Sequence, residues 1–192
     1  MTKYLSLIEQ RTRESIAVKQ ALLETQADTI AAVGAKLVTA MRNGNTLFLC
    51  GNGGSAGDAQ HIAAELVGRF TKERRALPAV ALTTNTSALT ALGNDYEYSI
   101  VFSRQLEAFG KAGDVLIGIS TSGNSPNVLH ALQTAQNLGM VTVGLTGETG
   151  GKTKAEAEHC ICAPSRDTAR IQESHILIGH ILCEIVECEL FG

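Results

Sequence analysis

Five short and almost wholly apolar segments, separated by stretches with helical character, limit this chain to very few architectures. They are Thr46–Cys50, Ala79–Leu82, Val115–Ile119, Val141–Leu145 and His159–Ala163. A strand with one wet face alternates polar and apolar residues. A strand apolar on both faces must be covered twice, which is the mark of a parallel sheet between helical layers. The intervening stretches Ser55–Gly68, Ser87–Leu92, Tyr98–Phe109 and Pro126–Leu138 read as helices, and Thr168–Leu190 as a long closing helix. Two leading helices are expected before the first strand, Tyr4–Leu23 and Thr25–Asn43. The second carries Ile30, Val33, Leu37, Val38 and Met41 at helical spacing. The expectation is an α/β three-layer sandwich with a central parallel sheet of about five strands and helices on both faces. Residues 1–192 would form one domain, 1–44 as leading helices and 45–192 as the α/β core.

Composition excludes several classes of function. With 192 residues, 44% of them apolar, and three prolines, the chain can bury a substantial core. A net charge of −3 argues against a dedicated nucleic-acid binder, which carries a basic stripe. Lys72, Arg74 and Arg75 make a short basic cluster that reads as a solvated loop. No apolar run approaches the roughly 20 residues of a membrane helix. Met1–Lys19 lacks the apolar region of a signal peptide, so a cytoplasmic location and no membrane contact are expected. The five cysteines include no Cys-x-x-Cys pair and read as small buried hydrophobes in a reducing compartment.

In open sheets of this kind, ligands sit beyond the carboxyl ends of the strands. There Val115–Ile119 runs into Ser120-Thr121-Ser122-Gly123-Asn124-Ser125-Pro126. Ser125 is a good N-cap and Pro126 suits the first helical position, where a missing N–H costs nothing. The loop therefore aims free backbone N–H groups and the positive end of a helix dipole at its ligand. Ser120, Thr121, Ser122 and Ser125 add hydroxyl donors without charge or bulk, a nest suited to the terminal phosphate of a small molecule. Two other glycine loops are decoys. Gly51-Asn52-Gly53-Gly54-Ser55-Ala56 has dinucleotide-loop spacing, but the next strand ends Leu82-Thr83-Thr84-Asn85, without the carboxylate that would hold a ribose. Gly147-Glu148-Thr149-Gly150-Gly151-Lys152-Thr153 is one residue short of a nucleotide-binding P-loop and reads as a turn.

His61 and Glu65 lie four apart on the helix after the first glycine loop, so they share one face and can share a metal or a substrate. The closing helix supplies Gln172, His175 and His180. His180 stands inside an apolar stretch and reads equally well as a core histidine. Gln172 lies within about 80° of His180, and equally close to His175, at 3.6 residues per turn. Spacing alone does not choose between the two histidines.

Taken together, Gly51–Ser55, His61 with Glu65, Gly93-Asn94-Asp95, Ser120–Ser125, Ile171-Gln172-Glu173 and His180 resemble the sedoheptulose 7-phosphate isomerases, the phosphoheptose isomerase family. The resemblance covers nearly the whole chain. It implies a sugar isomerase (SIS), flavodoxin-like fold, a homotetramer, and conversion of a ketose phosphate to an aldose phosphate through an enediol. It further implies one zinc ion per subunit on His61, Glu65, Gln172 and His180. The matching phosphate residues are Ser55, Ser120, Ser122 and Ser125. Those facing the sugar are Asn52, Gly53, Gly54, Glu65, Asn94, Asp95, Thr121 and Gln172. Glu65 would be the base and His180 its acid–base partner. Two alternatives remain from the same resemblance: a non-catalytic relative that binds the bacterial replication initiator, and an isomerase of another sugar phosphate.

Overall fold

The computed structural model describes residues 2–192; Met1 lies outside the described residues. Helix α1 (Thr2–Arg42) leads into β1 (Leu47–Gly51), α2 (Gly54–Val67) and β2 (Ala79–Ala81). Then come α3 (Thr86–Asp95), a 3₁₀ turn at Tyr98–Ile100, α4 (Ser103–Phe109), β3 (Val115–Ser120) and α5 (Pro126–Asn137). The chain closes with β4 (Val141–Thr146), the single turn α6 (Thr153–Glu156), β5 (His159–Cys162) and α7 (Thr168–Phe191).

All five strands are parallel, in the order β2-β1-β3-β4-β5. The apolar strands explain both faces. Leu47, Leu49, Val115, Ile117 and Ile119 enter one core with α1, α2 and α7, while Phe48, Cys50 and Leu116 turn the other way, against α4 and α5. Successive side chains point to opposite faces, so each strand feeds both layers. The order reverses between β1 and β3, where Gly51 pairs with Ile119. Chains leaving adjacent strands in opposite directions open a crevice, and ligands bind at such a switch point in doubly wound sheets. Both candidate loops begin there.

One expectation fails. The two leading helices are one 41-residue helix, α1. No glycine or proline separates Leu23 from Thr25, and the Thr25 hydroxyl bonds back to the Ala21 carbonyl at 2.7 Å, inside an unbroken helix. Its second half docks: Ile30, Val33, Leu37 and Met41 are buried, and Gln26 accepts the Cys162 N–H at 3.1 Å. Its first half leaves Tyr4, Leu5, Ile8 and Ile16 exposed.

Candidate functional site

The hydroxyl loop is held from both sides. Gly123 has φ +66°, and a Cβ there would strike the Gly150 carbonyl, so only glycine lets the two loops meet. The Gly123 carbonyl accepts from the Thr153 N–H at 2.9 Å and from its hydroxyl at 3.0 Å. Lys152 N–H donates to Asn124 Oδ1 at 3.1 Å. The Gly147–Thr153 turn is thus a buttress for the hydroxyl loop, a role its resemblance to a nucleotide loop conceals. Within the loop, the Ser120 and Ser125 hydroxyls lie 2.9 Å apart, with Ser122 at 3.5 Å from Ser120. Ser125 is the N-cap of α5, with Pro126 in the first turn, yet its side chain caps no N–H. The hydroxyl is turned to Ser120 instead; Pro126 has no N–H and the Val128 N–H bonds to the Ser125 carbonyl at 3.1 Å, so an anion here would meet the Asn127 N–H and the positive end of the α5 dipole.

Beside it, β1 ends in the loop that starts α2, where Ser55 is buried. Asn52 forms a reciprocal amide pair with Asn127, each Nδ2 donating to the other's Oδ1 at 2.9 Å. Tyr98 adds its hydroxyl to Asn52 Oδ1 at 3.3 Å. Asn127 and Tyr98 were not singled out from the sequence. An asparagine directly after Pro126 was the only available signal, and Tyr98 carried none. Asn94 and Asp95 lie exposed at the end of α3, where Asn94 Nδ2 donates to Asp95 Oδ1 at 2.9 Å. Among the described residues neither side chain hydrogen-bonds to the loops.

The second part of the site joins α2 to α7. His61 Nε2 stands 3.0 Å from Glu65 Oε1 and 3.4 Å from His180 Nε2. One ligating atom from each of His61, Glu65 and His180 falls within 4.8 Å of the others. Two imidazole nitrogens aimed at each other beside a carboxylate make a good donor set for a divalent cation, and two nitrogens with one carboxylate suit catalytic zinc, which keeps an open position. Gln172 hydrogen-bonds none of this trio among the described residues. Its side-chain amide packs on Gly54, where any Cβ would collide with it. Asp58, one turn before His61, keeps a buried Oδ2 without a partner, and burial raises its pKa, opposed by the charge of His61.

Histidines 175 and 180 part ways. His175 is fully buried, its Nε2 3.0 Å from the Thr146 carbonyl, and burial lowers its pKa to about 4. It is the core histidine. His180 is half-buried and faces His61 ring edge to ring, centroids 5.0 Å apart.

Of the basic cluster, Arg75 stays exposed on a loop, but Arg74 does not. The Arg74 side chain is 1% exposed and Glu187 of α7 is fully buried, with Nε and Oε1 2.9 Å apart. Glu187 also accepts the backbone N–H groups of Phe70, Thr71 and Lys72. Burial alone would raise its pKa, but these bonds outweigh it and hold the carboxyl at about 2. A single buried acid on the closing helix recruits the arginine, which the local sequence does not reveal.

A doubly wound parallel sheet with a hydroxyl-rich loop at its switch point and a His–Glu–His group beside it places the chain among phosphate-loop α/β folds of the SIS type, and the model for the SIS domain matches residues 12–147. The chain is 57% identical to the phosphoheptose isomerase of Roseiflexus sp. (strain RS-1), over 92% of this chain and 90% of the relative. It is 55% identical to that of Aquifex aeolicus, over 95% and 96% respectively. The solved phosphoheptose isomerase GmhA from Neisseria gonorrhoeae superimposes with a TM-score of 0.91 at 43% identity, over 96% of this chain and 99% of that one. The chain belongs to the phosphoheptose isomerase family of SIS-domain proteins.

Proposed function

We propose that this protein interconverts sedoheptulose 7-phosphate and D-glycero-D-manno-heptose 7-phosphate, an aldose–ketose isomerisation through an enediol. The observation that carries the reading is the pairing of a charge-free phosphate nest with a convergent His61, Glu65 and His180 group at one switch point. Near-full-length relatedness to phosphoheptose isomerases supports it and disfavours a replication-initiator regulator.

The phosphate is received by the hydroxyls of Ser55, Ser120, Ser122 and Ser125 and the N-terminal turn of α5. Asn52, held by Asn127 and Tyr98, and Thr121 orient the carbon chain, with Gly53 and Gly54 allowing close approach; Asn94 and Asp95 are assigned to it by family resemblance. Glu65 removes a proton from C1 of the ketose while the C2 oxygen gains one, giving the enediol. The O1 proton then leaves and Glu65 returns a proton to C2, completing the aldose. His180 moves the protons on the oxygens. His61, Glu65 and His180, with Gln172 as the fourth ligand in the family pattern, would hold one zinc ion per subunit. When bound, such an ion stabilises the negative charge that develops on the diol oxygens.

Residues 1–192 are taken as one domain acting in a homotetramer. What supports self-association is a groove of about 350 Å³ between α1 and α7, lined by Leu22, Leu23, Ile30, Leu177, Ile181 and Ile185, with the apolar first half of α1 also uncovered. No helix among the described residues is long and apolar enough to cross a membrane. Five free cysteines support a reducing, cytoplasmic setting.

The test is proton NMR of sedoheptulose 7-phosphate with the purified protein in D₂O, after chelation and after zinc is restored. Zinc-dependent aldose signals with deuterium at C2 are expected. Glu65→Gln should lower turnover about 100- to 10,000-fold, the scale of losing a general base. Near-wild-type turnover in that variant would remove Glu65 from the role.

A further inference from the structure

Two helices carry the His61, Glu65 and His180 group, and nothing within that group fixes their separation. The helices pack directly, Ile62 against Gly179, and the loop after α2 ties them together a second time. Arg74, buried against Glu187, donates through Nη2 to the Glu65 carbonyl at 2.8 Å and through Nη1 to the Leu66 carbonyl at 2.7 Å. It thereby satisfies the last turn of α2 while its charge is held by α7. Glu187 lies seven residues after His180, two helical turns along the same face of α7. The same carboxylate takes the Phe70 N–H at 2.8 Å, which brings the Phe70 ring over the His180 ring, centroids 5.5 Å apart and planes 28° from parallel. His180 is therefore in ring contact with both His61 and Phe70.

We propose that Phe70 is a positioning residue for the metal centre: seated by the Arg74–Glu187 pair, it fixes the plane of the His180 imidazole so that Nε2 points at the site shared with His61 and Glu65. A histidine ligand free to rotate about its side-chain bonds must be ordered each time the ion binds. A stacked ring removes that freedom in advance, much as outer-shell hydrogen bonds orient metal-bound histidines. Phe70 approaches His180 through its ring and has no polar side-chain atom, so its contribution is steric and dispersive, not chemical.

The inference rests on the metal-centre reading above, and its test separates the two. Zinc affinity of the full chain is measured by competition with a chromophoric chelator for wild type, Phe70→Leu and Phe70→Tyr, alongside thermal unfolding of each after chelation. Phe70→Leu is expected to bind zinc about tenfold more weakly, at the low end of the effect of outer-shell partners. Its kcat should fall with KM for the sugar phosphate unchanged, and Phe70→Tyr, which keeps the stacked ring, should restore both. Equal zinc affinity in wild type and Phe70→Leu, with only the unfolding temperature lowered, would overturn the positioning role and leave the metal centre standing. A wild-type chain that takes up no zinc would overturn the metal reading, and this inference with it.

Discussion

Acid should weaken this fold through one residue before any other cause is needed. His175 is fully buried with Nε2 donating to the Thr146 carbonyl and Nδ1 without a partner. Its neutral form suits that place, so burial lowers its pKa from 6.5 to about 4. In the unfolded chain the same imidazole takes up its proton near 6.5. The stabilising difference is therefore whole above pH 6.5, fades as pH falls from 6.5 to about 4, and is lost below that. At about 1.4 kcal/mol for each pH unit of that gap, the loss is about 3 kcal/mol, a large share of the about 5–15 kcal/mol that holds a domain folded. The assay is urea unfolding of chelated protein at fixed concentration, followed by far-UV circular dichroism at several values between pH 7 and pH 4. His175→Gln supplies the comparison, since its amide can donate to Thr146 and does not titrate. Wild type should lose about 3 kcal/mol more than the variant across that range. Identical pH dependence in the two, or an NMR titration of the His175 ring near 6.5 in the folded protein, would refute the argument.

Glu187 should act in a lower window. Its stabilisation is complete above the unfolded value of 4.5 and is lost as pH falls toward about 2, so Glu187→Gln should flatten the acid limb of a stability profile below pH 4.5. Gly54→Ala places a methyl where the Gln172 amide sits, and kcat/KM should drop at least about tenfold, or about 1.4 kcal/mol, with far-UV circular dichroism unchanged. Wild-type activity in that variant would mean that Gln172 needs no fixed place. The Cys160 and Cys162 sulfurs stand 3.7 Å apart on one face of β5, and the hydrogen bond between them holds Cys162 below the usual thiol range while the Cys160 thiol is pushed up. Mass-resolved alkylation of Cys162 should therefore rise at lower pH in wild type than in Cys160→Ala, and coincident profiles in the two would refute the pairing.

The sequence by itself determined the class of fold, because hydrophobic period and strand length are local properties. Doubly apolar strands left a covered parallel sheet as the only economical arrangement, and each of the five strands lies within a residue or two of its expected place. The Ser120–Ser125 loop and the His61–Glu65 pair were equally legible, since capping chemistry and helical spacing are written in neighbouring residues. Tertiary structure decided what depends on partners far along the chain. Strand order put the two loops side by side at the β1–β3 switch. The packing of α7 sent His175 into the core and His180 beside His61 and Glu65, a choice that angle along one helix left open. Burial of Glu187 drew Arg74 inward, and Asn127 reached Asn52 across two loops. The merger of two expected helices into α1 has the same origin: the sequence shows where a helix can stop, and only docking onto β5 and α7 shows which part of it needs to be there. Periodicity says which residues share a face; it carries no information on what that face will meet.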